Sequence, residues 1–378
     1  MKKRSSNDRV VRQQRKSSTK SSKERTMNNI KYIGMDVHVS MTVITIVNSD
    51  GKFVAEAIIE TKASTIKDFF RGQTGTLHVT FEEGCQAAWL YDLIRPYVEE
   101  VLVCNPRKIA RADRRSDRID AKRLAELLRT NAIAPTYHGE HSTQNLKELT
   151  RCYIAIVQDS TRVKNRLKAV FRGRGIDCSG ISVYSKEDRK DWRQKIDNTA
   201  RLSRADRLWK ELDYLTELAE EAEKGLLKEA RKHASIKILQ SAPGIGPLRA
   251  AIILAIAVTP HRFRTIKQFW AYCGLAVRSK ITGEYEMKRG QIRRSNKQPL
   301  IRGLNRNYSR ALKNVFKGAA ASVSQGPWKS QYDAKVEAGT KSSLVLLTLA
   351  RKISAITYSI WKKGERYDEK KLKFTHAG

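Results

Sequence analysis

From Lys31 the apolar positions alternate with a period of two. Tyr32-Ile33-Gly34-Met35-Asp36, Thr42 to Val47 and Phe53 to Ile59 read as three short strands, with Asn48-Ser49-Asp50-Gly51 as the turn between the second and third. There follow a helix around Thr65 to Phe70, a strand from Leu77 to Phe81 ending at Glu82, a helix from Ala87 to Val98, a strand from Val101 to Cys104 and a helix from about Arg118 to Arg129. From Leu146 the period changes. Leu146, Leu149, Tyr153, Ile156, Ser160, Val163, Leu167 and Val170 step by threes and fours, and Leu208, Leu212, Leu215, Ala219, Ala222 and Leu226 repeat the pattern. Two long helices paired as an antiparallel coiled coil are expected, joined by an irregular segment near Gly173 to Ser203. Beyond Ile236 the pattern is mainly helical, with one hairpin near Gly274 to Gln291 and a helix from Leu344 to Trp361 apolar enough on most sides to be buried.

Three leading strands followed by alternating helices and strands predict a mixed α/β sheet in the ribonuclease-H-like order. The expected fold class is therefore α/β plus all-α: a ribonuclease-H-like domain over 30–140, a coiled-coil linker over 141–235 and a mainly helical domain over 236–365. Residues 1–29 form a basic, almost wholly polar segment that cannot bury enough surface to offset its ordering entropy, and 366–378 form a short tail. Met27, immediately before the first strand pattern, is an alternative start.

Charge narrows the class of partner. Lys and Arg number 74 against 39 Asp and Glu, a formal net charge of +35. Such an excess repels itself unless a polyanion is the working partner, which points to nucleic acid. The basic residues run through the whole chain rather than beside one apolar stripe, which argues against a membrane surface. The longest apolar run, Ala250 to Val258, falls short of the ~20 residues needed to span a bilayer. The cysteines Cys85, Cys104, Cys152, Cys178 and Cys273 show no CxxC pairing, and no leader pattern precedes them. A reduced, cytoplasmic and nucleoid-associated protein without structural zinc is the expectation.

Four acids stand where a metal site would need them. Asp36 ends the first strand and Glu82 the fourth, so neighbouring strands would project both carboxylates from one sheet edge. Asp117 and Asp120, three residues apart, share a helix face. Their convergence suits two Mg²⁺ ions, because hard cations take carboxylate oxygens and an ion pair activates an attacking oxygen while stabilising the leaving one. Each acid also has a plainer reading: a solvent-facing strand end for Asp36, a helix cap and a favourable dipole charge for Asp117 and Asp120. Glu83 rivals Glu82, but Glu82 directly follows the Leu77 to Phe81 alternation and Glu83 points to the opposite face.

Towards the C-terminus, Pro243-Gly244-Ile245-Gly246 between two apolar helices resembles a helix-hairpin-helix, in which Gly244 and Gly246 would let backbone amides approach a phosphate. An ordinary helical turn is the alternative. Arg302, Arg306, Arg310, Lys313 and Lys317 are spaced to align on one helix face, with Arg293, Arg294 and Lys297 leading into it, and few acids intersperse them. A solvated charged face is the plainer reading of that stripe.

Taken in order, Tyr32-Ile33-Gly34-Met35-Asp36, Phe81-Glu82, Asn105-Pro106, Ser116-Asp117-Arg118-Ile119-Asp120-Ala121, Pro243-Gly244-Ile245-Gly246, Phe263 and Gly274-Leu275 resemble the DEDD transposases of the insertion-sequence one-ten family, over about Lys31 to Trp361. The resemblance implies a resolvase-like N-terminal domain holding Asp36, Glu82, Asp117 and Asp120, and a coiled coil used for oligomerisation as a homodimer or homotetramer. It also implies a C-terminal transposase domain with a serine nucleophile, and a structured guide RNA alongside DNA. At the position matching that serine this chain has Thr282, followed by Gly283; Ser279 is the nearest serine. A threonine hydroxyl can attack phosphorus, though its methyl crowds the approach; Thr282-Gly283 also reads as the hairpin turn between Leu275 to Ile281 and Glu284 to Met287. The function expected is DNA cleavage and rejoining. The alternatives are a structure-selective nuclease that uses only the four acids, and a non-catalytic nucleic-acid-binding protein of a decayed element.

Overall fold

The computed structural model describes residues 29–106, 116–138, 143–280, 285–288, 290–294 and 300–369, in two compact units, Met1–Gly139 and Glu140–Gly378. The basic segment up to residue 28, Thr282 with Gly283, Lys297, and the tail from residue 370 lie outside the described residues.

In the first unit β1 (Ile30–Val37), β2 (Met41–Asn48) and β3 (Phe53–Glu60) form an antiparallel meander. Its second turn is closed by the Asn48 side chain, whose Oδ1 accepts the Asp50 and Lys52 amides. After α1 (Ala63–Arg71), β4 (Thr76–Glu82) returns parallel to β1; after α2 (Ala87–Ile94), β5 (Glu100–Cys104) lies parallel to β4. After α3 (Asp117–Arg129), the short β6 (Pro135–Thr136) pairs antiparallel with β5, and the sheet order is β3-β2-β1-β4-β5-β6. This is the mixed α/β sheet that the strand pattern predicts.

Strand alternation sorts the side chains onto two faces. Ile33, Met35, Ile44, Ile46, Val79, Phe81, Val101 and Val103 form one core with Ile66 and Phe70 of α1 and Leu90 and Ile94 of α2. The intervening residues, Gly34 and Asp36 on β1, Thr80 and Glu82 on β4, look to the other face, where α3 lies. A Cβ at Gly34 would come within 2.1 Å of the Ala121 carbonyl oxygen and 2.4 Å of the Ala125 amide nitrogen. The helix backbone thus rests directly on the strand backbone. Both ends of α3 are tied: Ser116 caps the first turn by accepting the Ile119 amide, and Arg129 donates to the Ser49 carbonyl and pairs with Glu126.

In the second unit α4 (Gln144–Arg172) and α6 (Thr199–Ala230) pack along one another on either side of a short α5 (Arg189–Gln194). Val163, Leu167, Val170 and Phe171 late in α4 meet Ala205, Leu208, Trp209 and Leu212 early in α6, while Leu146 at the start of α4 shares a core with Leu226 and Ala230 at the end of α6. The two helices therefore run antiparallel, and the seam positions that the heptad pattern picks out are buried or half-buried. The irregular link packs its Trp192 edge-on to Phe171, 5.0 Å between ring centroids, and the Trp209 indole donates to the Val183 carbonyl at 2.8 Å.

The rest of the unit holds α7 (Ser235–Leu239), α8 (Pro247–Ala257), α9 (Ile266–Tyr272), β7 (Val277–Lys280), β8 (Tyr285–Lys288), β9 (Gln291–Arg294), β10 (Leu300–Leu304), α10 (Arg310–Ser324), α11 (Lys329–Glu337) and α12 (Ser342–Lys363). Its core gathers around α8, with Phe269 from α9, Phe316 from α10 and Ile353 from α12. By length and composition α12 would suffice to cross a membrane, but half of its apolar stretch is buried within the unit, as its sequence predicts.

Two expectations are corrected here. Among the described residues, the hairpin expected between Leu275 to Ile281 and Glu284 to Met287 is replaced by other pairings: β7 pairs with β10, and β8 pairs with β9 across Gly290, which takes φ of +74°. Both segments alternate and both precede a glycine, so local pattern alone did not select the partner. The single-helix stripe of Arg302, Arg306, Arg310, Lys313 and Lys317 does not form either. Arg302 lies on β10, Arg306 lies in the loop after it, and α10 begins at Arg310 behind its cap Ser309. The regular spacing of the cations continued past a cap signal that, on backbone hydrogen bonding, outranks it.

Two glycines give opposite stability predictions. Gly34→Ala forces α3 off β1 and costs at least about 2 kcal/mol, as overpacking against backbone does, whereas Gly225→Ala, inside α6 with open space around its Cβ position, adds about 0.5–1 kcal/mol. Urea midpoints of the two variants, shifted in opposite directions from that of the unsubstituted protein, check both.

Candidate metal centre and nucleic-acid interface

The two central parallel strands end side by side. Met35 of β1 is in register with Phe81 of β4, so Asp36 and Glu82 follow at adjacent positions, and alternation turns both to the α3 face. Cys104 of β5 is in register with Glu82, and burial together with the Glu82 charge pushes its thiol up. Glu83 turns the other way and pairs with the His138 imidazole at 2.7 Å.

The first turn of α3 brings in the remaining acids, because the close seat of the helix on Gly34 sets its N-terminus over the end of β1. Asp36 is largely shielded, with its side chain 22% exposed, and its Oδ2 lies 3.3 Å from His38 Nε2; Asp117 Oδ2 approaches the same nitrogen at 3.5 Å. Burial pushes the Asp36 carboxyl above the usual carboxylate range, His38 draws it back, and the charges of Asp117 and Asp120 push it further up. Arg118, between the two helix acids, pairs instead with Glu56 of β3 at 2.8 Å. Asp36 and Asp117 thus meet at His38, the Asp120 charge bears on Asp36 from the same helix turn, and Glu82 faces the same side from the adjacent strand end.

The donors fit a divalent cation. One ligand atom from each of Asp36, His38 and Asp117 lies within 4.8 Å of the others, and hard carboxylate oxygens dominate the set. The charges of Asp117 and Asp120 that bear on Asp36 also make a cation electrostatically welcome there. Sequence reasoning missed His38. Its signal was the i, i+2 spacing from Asp36 at the end of a strand, which keeps both side chains on one face.

The predicted nucleic-acid residues occupy the second unit. Gly244 takes φ of +70°, and a Cβ there would lie 2.7 Å from the Ala319 carbonyl of α10, while its own carbonyl accepts from Arg249 at 2.7 Å. Gly246 caps α8 ahead of Pro247 with open space around it. Arg293 and Arg294 stand on the exposed β9, Arg306 lines a cleft with Arg278 and Asn305, and Arg310 opens α10. Ser279 lies on β7 opposite Ile301; Thr282, the expected nucleophile, falls outside the described residues.

Comparison with known proteins gives a consistent placement. Residues 33–174, which include all four acids, match a family model described as Transposase, that of the DEDD transposases of IS110. Residues 236–304 match a second, described as Transposase IS116/IS110/IS902 family. The chain is also similar to the transposase for insertion sequence element IS1111A of Coxiella burnetii (strain RSA 493 / Nine Mile phase I), 22% identical over 296 residues that cover 76% of this chain and 80% of the relative. With both models of one family matched in chain order, and a relative aligned along most of both sequences, the chain belongs to the IS110 family of transposases.

Proposed function

We propose that this transposase cuts and rejoins DNA at the ends of an insertion sequence by Mg²⁺-assisted phosphoryl transfer at Asp36, Glu82, Asp117 and Asp120. The observation that carries the reading is the approach of Asp36 and Asp117 to one another at the end of β1, with Glu82 at the adjacent strand end and Asp120 one turn along α3. The strand order β3-β2-β1-β4-β5 supports a ribonuclease-H-like reading of the first unit, and the antiparallel α4–α6 pair supports the coiled-coil reading. Bound there, one or two Mg²⁺ ions would supply Lewis acidity to the scissile phosphate. The protein's own part is to fix the carboxylates: β1 and β4 hold Asp36 and Glu82, and α3 presents Asp117 and Asp120.

The family resemblance extends the proposal to Thr282 as the attacking hydroxyl. Its Oγ–P bond forms as a P–O bond of the DNA breaks, the displaced DNA oxygen takes the proton, and attack by a second strand's hydroxyl reverses the exchange. In the same reading Gly246, Arg293, Arg294, Arg302, Arg306 and Arg310 contact DNA, with Gly244 shaping the turn, a structured RNA of the element guides the choice of site, and the protein works in the cytoplasm as a homodimer or homotetramer.

Strand exchange with purified protein, Mg²⁺, the element's flanking RNA and end-bearing DNA checks this directly. Asp36→Ala is expected to lower recombination by at least about 100-fold, as loss of a group acting in the transition state does, and Thr282→Ala to abolish both recombination and the covalent protein–DNA adduct. Breaks left unjoined without an adduct would point to a nuclease, and an Asp36→Ala protein as active as its parent would point to a binding protein.

Stability gives an independent readout. A carboxyl whose folded-state pKa is raised costs the fold stability once ionised; the cost is absent below the unfolded pKa and complete above the folded one. At neutral pH and without divalent ions, Asp36→Asn should therefore melt at or above the temperature of the unsubstituted protein. Added Mg²⁺ should raise the midpoint of the latter only, as measured by differential scanning fluorimetry.

A further inference from the structure

His38 is placed too deliberately to be a bystander. It follows β1 directly, and its backbone is held on both sides: its amide donates to the Met41 carbonyl at 3.0 Å, and its carbonyl accepts the Thr61 hydroxyl at 2.9 Å. Thr61 is held in turn, its amide on the Ser40 carbonyl at 2.9 Å and its hydroxyl 2.8 Å from that of Thr42. The pinned loop aims Nε2 between two carboxylates that belong to different elements, Asp36 of β1 and Asp117 of α3.

The distances separate two explanations of that contact. A charge-assisted hydrogen bond between imidazole and carboxylate closes to about 2.7–2.9 Å, as His138 does with Glu83 at 2.7 Å. Both His38 contacts are longer, at 3.3 and 3.5 Å, and both converge on one nitrogen. Neighbouring ligands at right angles around an ion with metal–ligand distances of about 2.0–2.2 Å stand roughly 3 Å apart. Both contacts have the spacing of neighbouring ligands around a common centre, and the three ligand atoms all lie within 4.8 Å of one another.

We propose that His38 Nε2 is a ligand of the ion held by Asp36 and Asp117, and that this nitrogen biases the site toward Mn²⁺ over Mg²⁺. The inference rests on the metal-site reading above and adds a residue and a metal preference to it. Imidazole binds the borderline divalent ions of the first transition row better than Mg²⁺, which favours oxygen donors and keeps its water. A site made of carboxylates alone has no such bias.

Pulsed electron paramagnetic resonance on the full-length protein loaded with Mn²⁺ tests it, with ion affinities from calorimetry. The expected result is a nitrogen hyperfine coupling at the bound Mn²⁺ that disappears in His38→Ala and His38→Gln. Mn²⁺ affinity should fall on the order of 10-fold in both and Mg²⁺ affinity less than about 3-fold. Circular dichroism of the two variants matching the unsubstituted protein confirms that the exposed substitution leaves the fold intact. Mn²⁺ binding that Asp36→Asn abolishes, but that carries no nitrogen coupling or keeps it in His38→Ala, overturns the role of His38 and leaves the carboxylate site standing. No Mn²⁺ binding by the unsubstituted protein overturns the metal site and this inference together.

Discussion

The carboxylate end of the sheet depends on the absence of a side chain at Gly34. With nothing but hydrogen on that Cα, the backbone of α3 at Ala121 and Ala125 sits directly on β1. No other residue type permits so close a seat, because any Cβ would meet the helix backbone well inside contact distance. Two consequences follow from the one approach. The small residues Ala121 and Ala125 become wholly buried, and the first turn of α3 is carried over the end of β1. There Asp117 and Asp120 come close enough to Asp36 to shift its proton affinity. Packing on one face and chemistry at the edge are thus a single constraint.

The charge pattern makes sense on the same terms. In a chain of net charge +35 an acid cluster needs no help from distant cations to be tolerated, and Arg118, between the two helix acids in sequence, is diverted to Glu56. That diversion keeps a fixed guanidinium out of the space between Asp36 and Asp117. It also leaves their negative field for a mobile cation, the arrangement expected where a metal ion mediates between carboxylates and a phosphate. In the second unit, Arg293 and Arg294 stand on the exposed β9 and Arg310 opens α10.

The first unit was legible because its signals are local and agree with one another. Ile33, Met35, Val79 and Phe81 alternate where the sheet has a core face, the Asn48 turn carries its own hydrogen-bonding side chain, and Asp117 and Asp120 share a helix turn whatever that helix packs on. The second unit was legible in its long helices, since a heptad seam from Leu146 to Val170 specifies its own partner. The choice of strand partner for β7 was not legible: it depends on β10, whose pairing begins at Leu300 opposite Lys280, and alternation is satisfied equally by either neighbour. The arginine spacing misled because charge periodicity costs a chain almost nothing to carry through a strand and a loop, whereas the Ser309 cap accepting the Leu312 amide fixes where α10 begins. His38 went unread because its meaning lies in a pinned loop, which only tertiary hydrogen bonds create.

The two glycines of the Pro243–Gly246 turn, alike in sequence, separate once packing is considered. Gly244 is required by the close approach of α10 at Ala319, and Arg249 donates to the Gly244 carbonyl and lies 3.2 Å from the Ser322 hydroxyl. The turn and its arginine are spent on holding α8 and α10 together. A second close approach works in parallel: Gly274 at φ of +68° lies under the Tyr308 ring, and the Lys313 ammonium sits 4.3 Å from the centre of that ring. Gly244 therefore acts on α10 directly at Ala319, and Gly274 acts just ahead of it through Tyr308. The same packing fixes the direction in which α10 presents Arg310, Lys313 and Lys317, while Gly246, with open space where a Cβ would stand, is left exposed.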